Sequence, residues 1–259
     1  MHPDYLQKVF SLDGKKAIVT GGNSGIGKGI AVSLALFGAD VTIIGRDKPT
    51  IEDTVDELAK IGSRARGFSV DVGNKSEIDG FFDTYYQEND NKLDILISNA
   101  GIQIYKQALE TSEEEIERLY SVNFNGAVFC CRRASEAMKK QRSGNIVIVT
   151  SVNALHPLSG QAIYSSAKCA LEGIMQCMAV ELAPYGIRVN TLAPGFVKTN
   201  IGRSNPNRDL SKLHSELPLG RPAEPDDMGD VVACMVSDAF RYMTGSTVLV
   251  DGGLKLRRN

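Results

Sequence analysis

The sequence predicts a doubly wound α/β fold, a seven-stranded parallel sheet with helices on both faces, and three observations carry that expectation. Short β-branched runs alternate with longer amphipathic segments along the chain. Several of the short runs are apolar throughout, as in Ile146-Val147-Ile148-Val149, which suits strands covered on both faces. No internal repeat, low-complexity stretch or linker interrupts the chain, so residues 1–259 read as a single domain.

The elements follow in order. A strand over Lys16–Thr20 leads into a helix over Gly25–Phe37, with Gly38 behind it where a helix end favours glycine. Strand Asp40–Gly45, helix Thr50–Ile61, strand Ala65–Val70, helix Lys75–Asn89 and strand Leu93–Ser98 continue the alternation. A long helix is expected over Ser112–Lys140, opened by Ser112 and Glu115 as a capping box. Strand Gly144–Ser151, helix Gln161–Pro184 and strand Ile187–Ala193 come next. Helix Pro225–Ser237, with Pro225 in its first turn, and strand Thr247–Val250 complete the set. The residues before Leu12 carry no pattern, and the end from Leu254 to Asn259 reads as a polar tail. The segment Gly195–Leu219 is long for a connection and reads as a lid, in which Lys198, Arg203, Arg208 and Lys212 outnumber Asp209 and Glu216.

Composition excludes several functions. A formal charge of −2 gives no electrostatic footprint for nucleic acid or an anionic membrane. No apolar run approaches the length of a membrane helix, and Met1–Phe10, with Asp4 inside it, lacks the apolar centre of a secretory signal. The five cysteines form no CxxC, and none has zinc-ligand spacing to His2, His156 or His214. No metal site is expected, and the thiols read as reduced and buried in a cytoplasmic protein.

The chemistry begins where the first strand runs into Thr20-Gly21-Gly22-Asn23-Ser24-Gly25-Ile26-Gly27 and a helix follows at once. Unpaired N–H groups and the positive end of the helix dipole attract a pyrophosphate there, and glycines let the backbone come close to it. The spacing is TGxxxGxG rather than the GxGxxG of the broader dinucleotide fingerprint. At the end of the second strand, Arg46 stands where an acidic residue would read a ribose 2′-hydroxyl. A guanidinium suits a 2′-phosphate, which favours NADP over NAD, although Asp47 follows directly. Asp71-Val72 places a carboxylate for the adenine amine, and Asn99-Ala100-Gly101 ends a strand where ligand crevices form.

Tyr164 and Lys168 stand four residues apart, on one face of a predicted helix. A nearby ammonium stabilises phenolate, so Lys168 is expected to lower the Tyr164 pKa and make it a general acid/base. A single such pair carries little information. It gains meaning because Ser151 closes the fifth strand 13 residues earlier, where its hydroxyl can meet the Tyr-Lys face. Asn123 falls inside the long predicted helix, where burial would demand partners from a kink or a water; Asn125 is a competing choice that points elsewhere. His156 is either a pocket residue or a plain loop residue.

Taken together, the residues quoted above resemble the short-chain dehydrogenase/reductase family over nearly the whole chain. The match runs from Gly14-Lys15 through TGGNSGIG, Asn99-Ala100-Gly101, Asn123, Ser151 and Tyr164/Lys168 to Pro194-Gly195 and Asp251-Gly252-Gly253. The one departure in the shorter motifs is Ser98, where many members carry Asn. The resemblance implies a Rossmann-like fold, NAD or NADP without metal, and a homotetramer or homodimer, with the helices after Ser112 and Gln161 as candidate dimer faces. It implies Tyr164 as proton donor and acceptor, and Lys168 on the nicotinamide ribose. Ser151 would bind the substrate oxygen, and Asn123 would anchor a water that relays protons to Lys168. It adds Pro194, Gly195, Val197 and Thr199 to the cofactor-binding set. The substrate it implies is a small carbonyl or alcohol. A basic lid suits a sugar acid or another carboxylated or carrier-bound ketone. The sequence is similar to gluconate-type and 2-deoxy-gluconate-type sugar-acid dehydrogenases, and also to 3-oxoacyl carrier-protein reductases and hydroxysteroid dehydrogenases. Two readings of other classes stand beside this: a non-catalytic nucleotide-binding regulator, and a lyase or epimerase that uses its cofactor transiently.

Overall fold

A computed structural model describes residues 3–199 and 217–257. Its sheet comprises β1 (Lys16–Thr20), β2 (Asp40–Gly45), β3 (Arg66–Ser69), β4 (Ile95–Ser98), β5 (Gly144–Val149), β6 (Ile187–Pro194) and β7 (Thr247–Val250). The strands lie in the order β3-β2-β1-β4-β5-β6-β7, every pair parallel. The order reverses between β1 and β4, which opens a crevice at their carboxyl ends.

Each central strand feeds two cores, because successive side chains point to opposite faces. Ile18, Leu96, Ile146 and Ile148 enter one layer, under α4 (Lys75–Glu88), α6 (Ala127–Gln141) and α8 (Ala162–Leu182). Val19, Ile97, Val147 and Val149 enter the other, under α2 (Gly25–Leu36), α3 (Lys48–Lys60) and α9 (Pro225–Val236). Within the second layer α2 and α9 touch backbone to backbone: a β-carbon on Gly29 would lie 2.5 Å from the Pro225 carbonyl carbon. The edge strand β3 is mostly exposed, so its short sequence departs from the continuous apolar pattern of the centre.

The strand and helix pattern expected from sequence is present, with three differences. The long helix over 112–140 is interrupted. Its capped first part, α5 (Glu113–Tyr120), passes into a π-helical stretch over Ser121–Gly126 before α6 begins. Two further helices, α1 (Pro3–Phe10) and α7 (Val152–Leu155), lie where no helical pattern was legible. β5 stops at Val149, which leaves Thr150 and Ser151 beyond the sheet in the crevice.

The expected polar tail is also corrected, since Leu254 is buried against Val152 and Leu217. The thiols are free but not uniformly buried: Cys130 and Cys131 are, whereas Cys169 and Cys177 are exposed. Among the described residues no helix is long and apolar enough to cross a membrane. Of the segment read as a lid, Arg203, Arg208, Asp209, Lys212 and Glu216 lie outside the described residues, as does His214.

Candidate active site

The turn after β1 is shaped by close contacts. Gly21 and Gly25 have φ of +65° and +51°, which favour glycine. A β-carbon on Gly27 would lie 2.2 Å from the Gly21 carbonyl oxygen, so no larger residue fits there. Thr20 ties this turn to the end of β4: its hydroxyl accepts from the backbone N–H of Asn99 and of Ala100, each at 2.9 Å. The Asn99 side chain returns a bond to the Thr20 carbonyl at 2.9 Å. α2 opens at Gly25, and Ser24 makes no side-chain cap, so the helix N-terminus keeps its donors for a ligand.

These pieces enclose a cavity of about 570 Å³. Its wall takes Gly21, Asn23, Ser24, Gly25, Ile26 and Gly27 from the turn, and Arg46, Asp71 and Val72 from the ends of the next two strands. Asn99, Ala100, Gly101, Tyr164, Lys168 and Thr199 close it. An extended dinucleotide fits this chemistry: anion-binding donors in the middle, a guanidinium at one end and a Tyr-Lys pair at the other. Pro194, Gly195 and Val197 line an adjoining pocket of about 100 Å³ instead.

The charged groups other than Lys168 gather at the Arg46 end of the cavity. Arg46 is exposed on the cavity rim. Asp47, the acidic residue that competed with it, is engaged elsewhere as the cap of α3, accepting from the Thr50 N–H at 3.0 Å. Hydrogen bonds from Thr50 hold the Asp47 carboxyl below its ordinary range. Sequence reasoning missed Arg118 on α5, whose guanidinium donates to Asp71 Oδ2 at 2.8 Å. Burial pushes the Asp71 carboxyl up, but the Gly73 amide, Arg118 and Arg46 together hold it below the usual carboxylate range.

At the opposite end Ser151 meets Tyr164, and Lys168 lies between the Tyr164 ring and Asn123. The Ser151 hydroxyl accepts from the Asn153 N–H at 3.1 Å, capping α7, and is hydrogen-bonded to Tyr164. Lys168 is buried; its ammonium donates to the Val149 carbonyl at 2.8 Å and lies 5.8 Å from the Tyr164 ring centroid. A β-carbon on Gly101 would lie 3.4 Å from Asn123 Oδ1 and 3.7 Å from Lys168 Nζ, so the two side chains flank this glycine.

Asn123 is fully buried, and its carboxamide accepts from the Ile102 N–H and donates to the Ile102 carbonyl, both at 2.8 Å. This strand-like pairing accounts for the π stretch, since the widened turn lets the amide reach a neighbouring chain segment. Asn125 is exposed and points away.

One expectation is reversed. Lys168 does not draw the Tyr164 phenol down. Burial pushes it up to about 12, and the hydrogen bond from Ser151 only partly offsets this. The ammonium lies 5.8 Å from the ring centroid and spends a donor on Val149, and its attraction for the phenolate does not outweigh burial. Burial in turn pushes Lys168 down to about 8, against the pull of Glu172.

The smaller pocket meets the large cavity at Tyr164, which borders both. One wall is apolar, with Val152, Leu158, Phe196 and Leu254. The other is a chain of neutral polar groups. The Tyr105 hydroxyl donates to Gln103 at 2.6 Å, Gln103 donates to Gln161 Oε1 at 3.3 Å, and Asn153 donates to that same oxygen. None of its described lining residues is Lys, Arg, His, Asp or Glu. Lys198 pairs with Glu224, and His156 ends α7 without lining the pocket.

Nucleotide cavity, crevice and Tyr-Lys pair together define a dinucleotide-dependent oxidoreductase of the α/β type. Residues 21–255 match the family model described as enoyl-(acyl carrier protein) reductase. The chain is 36% identical to the 3-oxoacyl-[acyl-carrier-protein] reductase of Chlamydia pneumoniae, over 94% of this chain and 98% of that one. It is 34% identical to an L-rhamnose 1-dehydrogenase (NAD(P)(+)) of a Sphingomonas species, over 94% and 97%. A crystal structure from Beutenbergia cavernae, provisionally assigned as an NAD(P)-dependent gluconate 5-dehydrogenase and holding NADP at low occupancy, superposes with a TM-score of 0.88 at 33% identity, covering 95% of this chain and 98% of that one. The chain belongs to the short-chain dehydrogenase/reductase family.

Proposed function

We propose that the protein is an NADP-preferring oxidoreductase that interconverts a secondary alcohol and a ketone, with Tyr164 as the general acid/base. The observation that carries this is the position of Tyr164, which borders both the nucleotide cavity and the small pocket beside Ser151. The bound nicotinamide would supply the hydride for ketone reduction and accept it in alcohol oxidation. In reduction, Ser151 donates to the substrate oxygen and Tyr164 gives its proton to that oxygen as negative charge grows there. In oxidation Tyr164 takes the proton back. Lys168 holds a positive charge under the phenol ring, favouring phenolate once the proton has left. Asn123 fixes Ile102 and hence Gly101, the wall of the cavity against which Lys168 lies.

A phenol near 12 is protonated throughout the physiological range, so the state supplied to ketone reduction is the acid. Lys168, near 8, is charged below that value and neutral above it. The rate of reduction should therefore be flat in mildly acidic and neutral buffer and fall as pH rises through about 8. Steady-state kcat/KM from pH 6 to about 10 measures this, and a rate that climbs through that window contradicts the assignment.

NADP preference rests on Arg46 at the cavity rim and on Asp47 being held as a helix cap. Arg46→Ala should raise KM for NADPH by about tenfold, as expected for a lost charge-assisted bond, and leave KM for NADH little changed. Equal KM values for the two coenzymes in the unsubstituted protein would remove the basis for NADP.

For the substrate, the wall of Gln103, Tyr105, Asn153 and Gln161 favours a carbonyl compound bearing further hydroxyl groups, as in sugars and sugar acids. The relatives named for rhamnose and gluconate dehydrogenation support this class. A carrier-bound 3-oxoacyl group is the second reading, favoured by the carrier-protein reductase relative and by the apolar wall of Val152, Leu158 and Phe196. Assay of neutral sugars, sugar acids and 3-oxoacyl thioesters at the nicotinamide absorbance separates the two.

A further inference from the structure

Tyr164 and Lys168 are the first two members of a series on α8. Glu172 stands one turn further on, so the three occupy positions i, i+4 and i+8 of one helix face. Its carboxylate is held by hydroxyls from three adjacent strands. Thr150, just past β5, donates to Oε1 at 2.6 Å. Thr191 in β6 and Thr247 in β7 donate to Oε2 at 2.9 and 2.6 Å. Thr150 and Thr191 are themselves buried, and the Thr191 and Thr247 hydroxyls lie 2.9 Å apart. Three uncharged donors solvate and orient a carboxylate without neutralising it, so its field remains available to nearby charges.

We propose that Glu172 is a positioning residue, whose carboxylate, clamped by Thr150, Thr191 and Thr247, is the fixed counter-charge that keeps Lys168 an ammonium beneath Tyr164. The proposal rests on the catalytic reading above. It adds to it a link between the sheet's last three strands and the proton-transferring end of the site.

The surroundings of Lys168 are consistent with this role. From its own helix it meets the Tyr164 ring and the field of Glu172. From β5 it meets only the neutral Val149 carbonyl, and across Gly101 it faces the neutral Asn123. Tyr105 acts on Tyr164, and the thiol of Cys169, the next helical residue, donates to the Ala154 carbonyl and is pushed upward by partial burial and by Glu172. Lys168 bonds the Val149 carbonyl and Glu172 bonds the hydroxyl of the next residue, Thr150, so the two side chains, one helical turn apart, meet the same strand end.

The test is Glu172→Gln, which preserves size and an oxygen acceptor for the threonines but deletes the charge. The Lys168 titration is followed by NMR of 13Cε-labelled lysine in the cofactor-free protein. Its midpoint should fall by roughly one pH unit, and the descending limb of kcat/KM for reduction should fall with it. Glu172→Asp, which keeps the charge, should restore most of the shift. An unmoved Lys168 midpoint, with only a lower melting temperature, makes Glu172 a purely structural tie and overturns the proposal. Should Glu172→Gln fail to fold, Thr247→Val loosens one oxygen of the clamp from the outer strand. It should move the midpoint downward by a smaller amount, and an unchanged midpoint again overturns the proposal. Because the NMR titration needs no turnover, its failure is distinct from failure of the catalytic reading, which is decided by Tyr164→Phe.

Discussion

Tyr164→Phe should lower kcat by roughly a thousandfold, within the range of losses for a general acid/base, while NADP(H) binds within a few-fold of its starting affinity. The phenyl ring keeps the surface over which Lys168 sits, so the local packing persists. What disappears is the phenolic proton donor at the junction of the two cavities. Ser151 does not replace it, because its hydroxyl remains the cap of α7. Turnover read at the nicotinamide absorbance and coenzyme affinity read by fluorescence titration check the two halves independently. Turnover within a few-fold of the starting value would remove Tyr164 from the mechanism.

The second large effect is expected at Asn123. Asn123→Ala deletes both bonds to the Ile102 backbone, leaving an N–H and a C=O without partners in a partly buried segment. At about 1–3 kcal/mol for each orphaned group, the loss is roughly 2–6 kcal/mol. For a domain of this size, that corresponds to a melting temperature lower by about 4–24 °C. Turnover should fall as well, because Ile102 adjoins Gly101, and Gly101 lies between Asn123 and Lys168. Calorimetry measures the first effect; an unchanged melting temperature would mean that the π stretch is held by packing alone.

These effects also show what the sequence made legible. The central strands were readable because β1, β4 and β5 are buried on both faces, and burial on both faces leaves a continuous apolar run. The glycine turn was readable because Gly27 has no room for a side chain, a constraint written directly into residue type. Ser151, Tyr164 and Lys168 could be linked because a strand end and the following helix start fix their separation.

Other features depend on contacts between distant segments, which local pattern does not encode. The break between α5 and α6 comes from an amide bonding Ile102, 21 residues away, while the helical pattern runs on unbroken. Arg118 looks like any charged residue on a helix, and only its pairing with Asp71 brings it to the nucleotide cavity. The threonines around Glu172 come from three strands with no shared spacing. The direction of the Tyr164 shift was misread for a related reason: spacing brings an ammonium close, but the depth of burial and the pull of the Val149 carbonyl decide which effect dominates.

The most direct test of the central claim, hydride exchange at a carbon whose oxygen trades a proton with Tyr164, is label transfer from NADPH carrying deuterium at the transferable C4 position. With a carbonyl compound that is turned over, the account predicts product deuterated at the carbinol carbon, and no such product on the same timescale from Tyr164→Phe with coenzyme bound. Product formed without deuterium, or deuterated at an undiminished rate by the Phe variant, would contradict it.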